Sequence, residues 1–204
     1  MITVVDNFLS NPDEVRNNAL DRLFFWGTVK KVSYPGMRTK YAKEDQKLRI
    51  QVINQVEKIL NKKVWLSSTT TGSHCFTMGF ESTADKFNWV HHDVASRVEK
   101  QQEMLGGKAW AGVLYLTPNP PKHSGTALFD NEGKIFSDEI KMLENPKEKL
   151  KDIYESAHTI VENRYNRLVM YPANYWHAPM LSGFGKTKKD GRLIMNLFMV
   201  MSDE

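Results

Sequence analysis

Apolar residues in the first third of the chain recur at helical spacing. The first predicted helix begins after Asn11 as its N-cap, has Pro12 at its first position and ends near Gly27. A second predicted helix covers about 44–60, and its apolar face carries Leu48, Val52, Ile53, Val56, Ile59 and Leu60. We expect both helices to pack on a sheet and to support it.

From Val64 onward the apolar pattern changes to that of short strands, which glycine and proline interrupt often. A short strand is also predicted over 2–5, and residues 28–42 are predicted to be a loop with a turn at Tyr34-Pro35-Gly36. The other predicted strands cover 64–71, 73–80, 88–93, 109–117, 126–130, 159–162, 167–171, 175–180 and 192–201. A charged segment near 138–155 is predicted to be a helical insertion.

Many short strands preceded by two helices predict an α+β, mainly β fold. The expected architecture is a double-stranded β-helix, a jelly-roll or cupin-like core with the N-terminal helices packed on one sheet. A chain of 204 residues is long enough to bury one such core. We therefore predict a single domain over 1–204, in which 1–62 is a helical support region and 63–204 is the jelly-roll core.

Composition narrows the classes of function. Cys75 is the single cysteine, which excludes an intrachain disulfide and a cysteine-rich zinc site. No apolar run approaches the length of a membrane span, and the first residues do not resemble a secretory signal, so we expect a cytoplasmic protein without a membrane partner. The net charge of +4 is mild and accompanies no recognisable nucleic-acid motif, so no nucleic-acid partner is expected.

The stretch 88–93 carries the most informative polar residues. In a strand, alternate side chains share a face, so His91 and Asp93 point to one side and His92 points to the other. An imidazole and a carboxylate on one face can bind the same divalent metal ion. His177, in the proline-flanked stretch 171–179, is the best candidate for a third ligand. Two histidines and one carboxylate leave three coordination positions open, as in non-haem iron(II) sites.

The order His91-x-Asp93, His177, Arg192 resembles the motif of the iron(II)- and 2-oxoglutarate-dependent dioxygenases, and most closely their prolyl-4-hydroxylase-like branch. Three flanking stretches are also similar to core strands of that family: 113–116 with 124–129, 166–172, and 192–198. Two departures concern the last strand. Many prolyl hydroxylases carry lysine at the position of Arg192, and other branches carry serine at the position of Ile194.

The resemblance implies a role for each candidate residue. His91, Asp93 and His177 would be the catalytic metal ligands, and Arg192 would bind the distal carboxylate of 2-oxoglutarate. Tyr115, expected to face the barrel interior, and Asn196, on the strand face of Arg192, are further candidates for binding this cosubstrate. Core packing remains an alternative for Tyr115, and Lys188 and Lys189 remain alternatives to Arg192.

The implied cofactors are Fe(II) and 2-oxoglutarate, with O2 as cosubstrate and ascorbate as an expected stimulant. The implied reaction hydroxylates a substrate C–H bond and releases succinate and CO2. The substrate is expected to be a peptide or protein side chain, with proline as first candidate, or a small molecule. The loops 94–107 and 118–124 are the predicted walls of an open substrate groove. The sequence carries no signal for a particular oligomeric state.

Two other classes of function remain open at this point. One is a cupin-type metalloenzyme that uses another metal at the same triad and ignores 2-oxoglutarate, so that it has no need of Arg192. The other is a non-catalytic jelly-roll module for binding or structure, which would have no need of the triad. A test of metal binding distinguishes the non-catalytic module from an enzyme. A test of 2-oxoglutarate binding distinguishes the cupin-type metalloenzyme from a dioxygenase.

Overall fold

The computed structural model describes residues 1–29, 32–40, 45–66, 76–82, 90–93, 105–129, 155 and 157–202. The two helices in these ranges are α1 (Pro12–Leu20) and α2 (Asp45–Leu60). Strands of the N-terminal half are β1 (Thr3–Val5), β2 (Phe24–Val29), β3 (Val32–Thr39), β4 (Val64–Leu66) and β5 (Phe76–Gly79). Those of the C-terminal half are β6 (Gly107–Tyr115), β7 (Thr126–Phe129), β8 (Thr159–Val161), β9 (Leu168–Pro172), β10 (Trp176–Pro179) and β11 (Arg192–Ser202).

The described strands form two antiparallel sheets. The main sheet has the order β1-β9-β6-β11-β5-β3-β2, and β4 also pairs with β11. Its longest pairing joins β11 to β6, from Ile194 opposite Tyr115 to Ser202 opposite Gly107. The second sheet has the order β10-β7-β8. The predicted α+β, mainly β architecture is therefore confirmed.

The central strands of the main sheet are buried on both faces, and alternation along them assigns each residue to one face. On β6, Leu114 belongs to a core cluster that includes residues of α1 and α2, such as Val15 and Val52. Its neighbour Tyr115 belongs to a different cluster, which also contains Leu128 of the second sheet. The helices thus cover one face, as predicted, and the second sheet covers the other. The space between the two sheets is called the inter-sheet space below.

The prediction for 20–42 is wrong. Helix α1 ends at Leu20 rather than near Gly27, and β2 and β3 form a hairpin where a helix end and a loop were expected. The run Phe24-Phe25-Trp26 is rich in aromatic residues, which favour strands. Leu23 and Phe24 happen to continue the helical spacing of α1. Leu23 does not belong to an apolar helix face, because its side chain is 74% exposed.

The predicted turn at Pro35 and Gly36 lies inside β3. The β2–β3 pairing contains an irregularity between Trp26 and Thr28, and proline is tolerated where the ladder is interrupted. Gly36 has a φ of 81°, and a Cβ atom there would lie 2.5 Å from the carbonyl oxygen of Met78. Glycine is therefore required at this position by close backbone approach, not by a chain reversal.

The predicted support region 1–62 is more than helical, because it contributes β1, β2 and β3 to the main sheet.

Asn11 precedes α1 but makes no capping bond to a backbone N–H group; its amide donates to the Glu14 carboxylate over 2.7 Å. The predicted helical insertion near 138–155 and most of the predicted loop 94–107 lie outside the described residues. In the described part of the chain, neither helix combines the length and apolarity needed to cross a bilayer.

The connection between β8 and β9 is fastened to the N-terminal segment by Asn166. Its side-chain oxygen accepts from the backbone N–H of Leu9 over 2.8 Å, and its amide nitrogen donates to the Leu9 carbonyl over 2.9 Å. Asn166 is buried and has a φ of 59°, a left-handed conformation that asparagine tolerates better than most residues. One side chain thus satisfies two buried backbone groups.

Replacing Asn166 with glycine should therefore destabilise the fold. Glycine keeps the left-handed backbone but leaves the two Leu9 groups unpaired, at a cost of about 1–3 kcal/mol for each group. Urea unfolding measures the free energy of unfolding. The matched control is Asn119→Gly, because Asn119 has a φ of 51° but is exposed. Equal stabilities of the two variants would contradict the role given to the Asn166 amide.

Candidate functional site

Backbone hydrogen bonds bring the predicted metal ligands together at one edge of the second sheet. His91 and His177 form an isolated antiparallel bridge. The His91 N–H donates to the His177 carbonyl over 2.9 Å, and the His177 N–H donates to the His91 carbonyl over 2.8 Å. The Asp93 N–H donates to the carbonyl of Ala173 over 2.9 Å. The paired backbones therefore fix which side chains meet.

One ligand atom from each of His91, Asp93 and His177 lies within 4.8 Å of the other two. The His177 Nε2 atom is 3.4 Å from Asp93 Oδ2, and the two imidazole ring centroids are 4.3 Å apart. His92 is exposed, and its ring packs edge-on against Trp176. The structure thus separates His92 from the other three side chains, in agreement with the predicted alternation.

The tautomer of His177 suits a metal ligand. Its Nδ1 atom is 3.0 Å from the carbonyl oxygen of Tyr175, which can only accept, so Nδ1 carries the proton. The Nε2 atom is then the ring nitrogen that faces Asp93. Metal-bound histidines usually donate their other N–H group to an oxygen atom in this way. The donor set of two imidazoles and one carboxylate therefore fits a divalent transition metal ion.

Arg192 is the first residue of β11 and lies opposite Gly79 of β5. Only 5% of its surface is exposed. Because alternate residues of a strand share a face, Arg192 lies on the same face as Ile194, which belongs to the inter-sheet cluster with Tyr115 and Tyr171. A guanidinium group is thus buried on the face of the main sheet that is turned towards the triad.

The lysines considered as alternatives to Arg192 lie elsewhere. The Lys188 ammonium group donates to the carbonyls of Leu20 and Arg22, over 3.1 and 2.9 Å, and thus caps the end of α1. Lys189 is exposed, and its carbonyl accepts from the Arg16 guanidinium. Of these three basic residues, Arg192 alone combines burial with a position on the inter-sheet face.

Tyr115 is fully buried on the inter-sheet face, and its hydroxyl lies 2.6 Å from the Thr126 hydroxyl. Burial raises the pKa of Tyr115, whereas the Thr126 hydrogen bond and the positive charge of Arg192 lower it in part. Both hydroxyls are therefore neutral and can donate hydrogen bonds. Sequence reasoning did not select Thr126, although it lies in the 124–129 stretch that carried part of the family resemblance.

Asn196 shares the Arg192 face but is already engaged, because its amide donates to the Thr77 hydroxyl over 2.8 Å.

Tyr171 was not selected from the sequence. Its buried ring lies 4.7 Å from the His177 ring, and burial raises the pKa of its hydroxyl well above the ordinary value, as does the Asp93 charge. The available signal was its position in the strand that leads to His177.

Residues 1–150 match the model of a family of unknown function, DUF6445. The chain belongs to this family. The matched region includes His91 and Asp93 but ends before His177 and Arg192. No curated protein matches the sequence. The DUF6445 family assignment thus carries no activity with it.

Solved structures resemble this member of the DUF6445 family over nearly its whole length. One is a prolyl hydroxylase from Trichoplax adhaerens in complex with a peptide fragment of the hypoxia inducible factor oxygen degradation domain. Its TM-score is 0.53 at 12% identity, and the similarity covers 99% of this chain and 83% of the hydroxylase chain. The alpha ketoglutarate dependent epimerase SnoN of nogalamycin biosynthesis has a TM-score of 0.60 at 12% identity. The similarity covers 98% of this chain and 76% of the SnoN chain.

HygX from Streptomyces hygroscopicus, solved with nickel, 2-oxoglutarate and hygromycin B, has a TM-score of 0.58 at 8% identity and covers 98% of this chain and 82% of its own. At such identities the similarity shows the fold alone. The predicted jelly-roll fold is thereby confirmed as that of 2-oxoglutarate-dependent oxygenases.

Proposed function

We propose that this protein is a non-haem iron(II)- and 2-oxoglutarate-dependent dioxygenase that hydroxylates a substrate C–H bond. The observation that carries the proposal is the combination of His91, Asp93 and His177 in one cluster with Arg192 buried on the facing side of the inter-sheet space. A metalloenzyme that ignores 2-oxoglutarate would have no use for that buried guanidinium group. A guanidinium group matches the geometry of a carboxylate, and 2-oxoglutarate carries two carboxylates.

In this proposal His91, Asp93 and His177 would hold Fe(II), because two imidazoles and one carboxylate form the donor set typical of non-haem iron(II) sites. When bound, the iron supplies the oxidative decarboxylation of 2-oxoglutarate to succinate and CO2, coupled to insertion of one oxygen atom into the substrate. The Tyr175 carbonyl holds the proton on His177 Nδ1 and so keeps Nε2 available to the metal. The buried Tyr171 ring packs against the His177 ring, with the two centroids 4.7 Å apart.

The other end of 2-oxoglutarate is assigned to Arg192, whose planar guanidinium group can donate two parallel hydrogen bonds to a carboxylate. The Tyr115–Thr126 hydroxyl pair is the second candidate contact, because both groups are buried and one of their two hydrogens is left to donate to a carboxylate. Asn196 is assigned a supporting role, since its amide already donates to Thr77. In this proposal these groups would orient the bound cosubstrate.

The substrate is proposed to be a peptide or protein side chain, with proline as first candidate, or a small molecule. One structural neighbour was solved with a peptide fragment and another with hygromycin B, so the fold accommodates both classes. In this chain the described loop 118–124 carries Pro118, Pro121 and His123 at exposed positions. Thr117, directly before this loop, donates to the Gly191 carbonyl over 2.8 Å, so the loop starts at the Arg192 end of the inter-sheet space and not beside the triad. The loop therefore gives the peptide class no support of its own.

Anaerobic addition of Fe(II) and 2-oxoglutarate should produce the weak visible charge-transfer band of the chelate. On admission of O2 and ascorbate, a proline-containing peptide library should gain one oxygen atom by mass spectrometry, and succinate should form in equal amount. Metal binding without the band, and without succinate, would favour a cupin-type enzyme that does not use 2-oxoglutarate. Succinate formation stimulated by small metabolites but not by peptides would assign a small-molecule substrate instead.

A further inference from the structure

Asn163 has a buried side chain whose polar atoms are both unsatisfied. It is 8% exposed, and in the described part of the chain neither its amide nitrogen nor its amide oxygen has a hydrogen-bond partner. Three residues later, Asn166 uses both of its amide atoms on Leu9. Buried polar side chains are nearly always hydrogen-bonded, so an isolated buried amide indicates that a ligand or a water molecule completes its bonding.

The chain around Asn163 alternates between solvent and interior. Ile160 is 44% exposed, Val161 is buried in the inter-sheet cluster, and Glu162 reaches the surface, where its carboxylate lies 3.4 Å from the His123 ring. Asn163 is buried again. Because this alternation continues that of β8, the Asn163 side chain belongs to the same side of the chain as Val161.

The segment 161–163 also runs close beside the start of β7. Val161 pairs with Thr126, and a Cβ atom on Gly125 would lie 2.8 Å from the Asn163 backbone nitrogen. Thr126 in turn contacts the Tyr115 hydroxyl. The Asn163 backbone therefore lies beside the start of β7, the strand whose Thr126 contacts the Tyr115 hydroxyl.

We propose that the Asn163 amide nitrogen donates a hydrogen bond to the distal carboxylate of 2-oxoglutarate, beside Arg192 and the Tyr115–Thr126 pair. This inference rests on the proposed function and adds a recognition residue to it. The amide oxygen cannot accept from a carboxylate and is completed by an ordered water molecule. In this proposal the cosubstrate carboxylate accepts the hydrogen bond that the Asn163 amide nitrogen lacks in the described part of the chain.

Asn163→Leu, which removes both polar atoms at nearly constant volume, separates recognition from folding. We expect the Tm of the ligand-free variant to equal or exceed that of the wild type, because no satisfied hydrogen bond is lost. Calorimetric titration of the nickel-loaded protein with 2-oxoglutarate should show a Kd raised by about ten- to a hundredfold, the loss of one hydrogen bond to a charged group. Nickel affinity should not change.

Asn166→Gly is the matched control, expected to lower the Tm while the folded protein keeps wild-type affinity for 2-oxoglutarate. If Asn163→Leu also lowers the Tm and keeps the wild-type Kd, its amide is satisfied by buried water alone, and the inference is overturned. The same holds if both its Tm and its Kd match the wild type. If the nickel-loaded wild type itself does not bind 2-oxoglutarate, the proposed function fails first and the role of Asn163 fails with it.

Discussion

His177→Ala and Asp93→Ala are each expected to abolish stoichiometric binding of Fe(II) or of nickel as its substitute. Each substitution removes one of three donor atoms, and the remaining pair cannot hold a divalent ion against water and buffer. The ligand atoms already lie within 4.8 Å of one another. The loss of metal binding would therefore come from the missing donor atom and not from a failure to bring the ligands together. Metal analysis of the purified variants, with circular dichroism to verify folding, measures the effect.

His92→Ala is the matched control for the metal site, because His92 is adjacent to His91 but packs against Trp176 on the outside. This variant should retain one metal ion per chain. His91→Ala should lose it. The reverse result, metal lost with His92→Ala and kept with His91→Ala, would show that the strand presents the other histidine to the metal.

Arg192→Ala is expected to raise the Kd for 2-oxoglutarate by a factor of about thirty to several thousand, with metal affinity nearly unchanged. Truncating one partner of a desolvated charge pair costs about 2–5 kcal/mol, and 1.4 kcal/mol corresponds to a tenfold change. Arg192 is buried, so solvent screens this interaction little. The titration is made with nickel-loaded protein, which separates binding from turnover.

Lys188→Met is the control for Arg192, because the Lys188 ammonium group contacts carbonyls at the end of α1 instead of the inter-sheet space. It should leave the Kd for 2-oxoglutarate within about threefold of the wild type, since less than about 0.7 kcal/mol of binding free energy is involved. Wild-type affinity in Arg192→Ala with loss of affinity in Lys188→Met would transfer the carboxylate-binding role to the lysine.

Long regular segments were predictable from the sequence. The strands β6 and β11 were expected near 109–117 and 192–201, because uninterrupted β-prone runs bounded by glycine or proline leave little ambiguity. Two-residue alternation also grouped His91 with Asp93 and separated His92. The structure brings these side chains and His177 together. Their role as metal ligands remains a prediction.

Features that depend on distant contacts were not predictable. Short apolar runs fit both helix and strand, so the hairpin of β2 and β3 was mistaken for a helix end and a loop. Thr126 is recognised as a candidate only through its contact with the Tyr115 hydroxyl. Asn163 is recognised only because its amide lacks the hydrogen bonds that the Asn166 amide makes. No local pattern distinguishes one buried asparagine from the other.

The two backbone hydrogen bonds between His91 and His177 have a consequence for the kinetics of metal exchange. Their donors and acceptors belong to the main chain, so the two imidazoles stay adjacent whether or not a metal ion is bound. Metal uptake then requires no ordering of the polypeptide, and little binding free energy is lost to conformational entropy. A chelator should therefore remove the ion without unfolding the chain, and readdition of the metal should restore the site without a refolding phase.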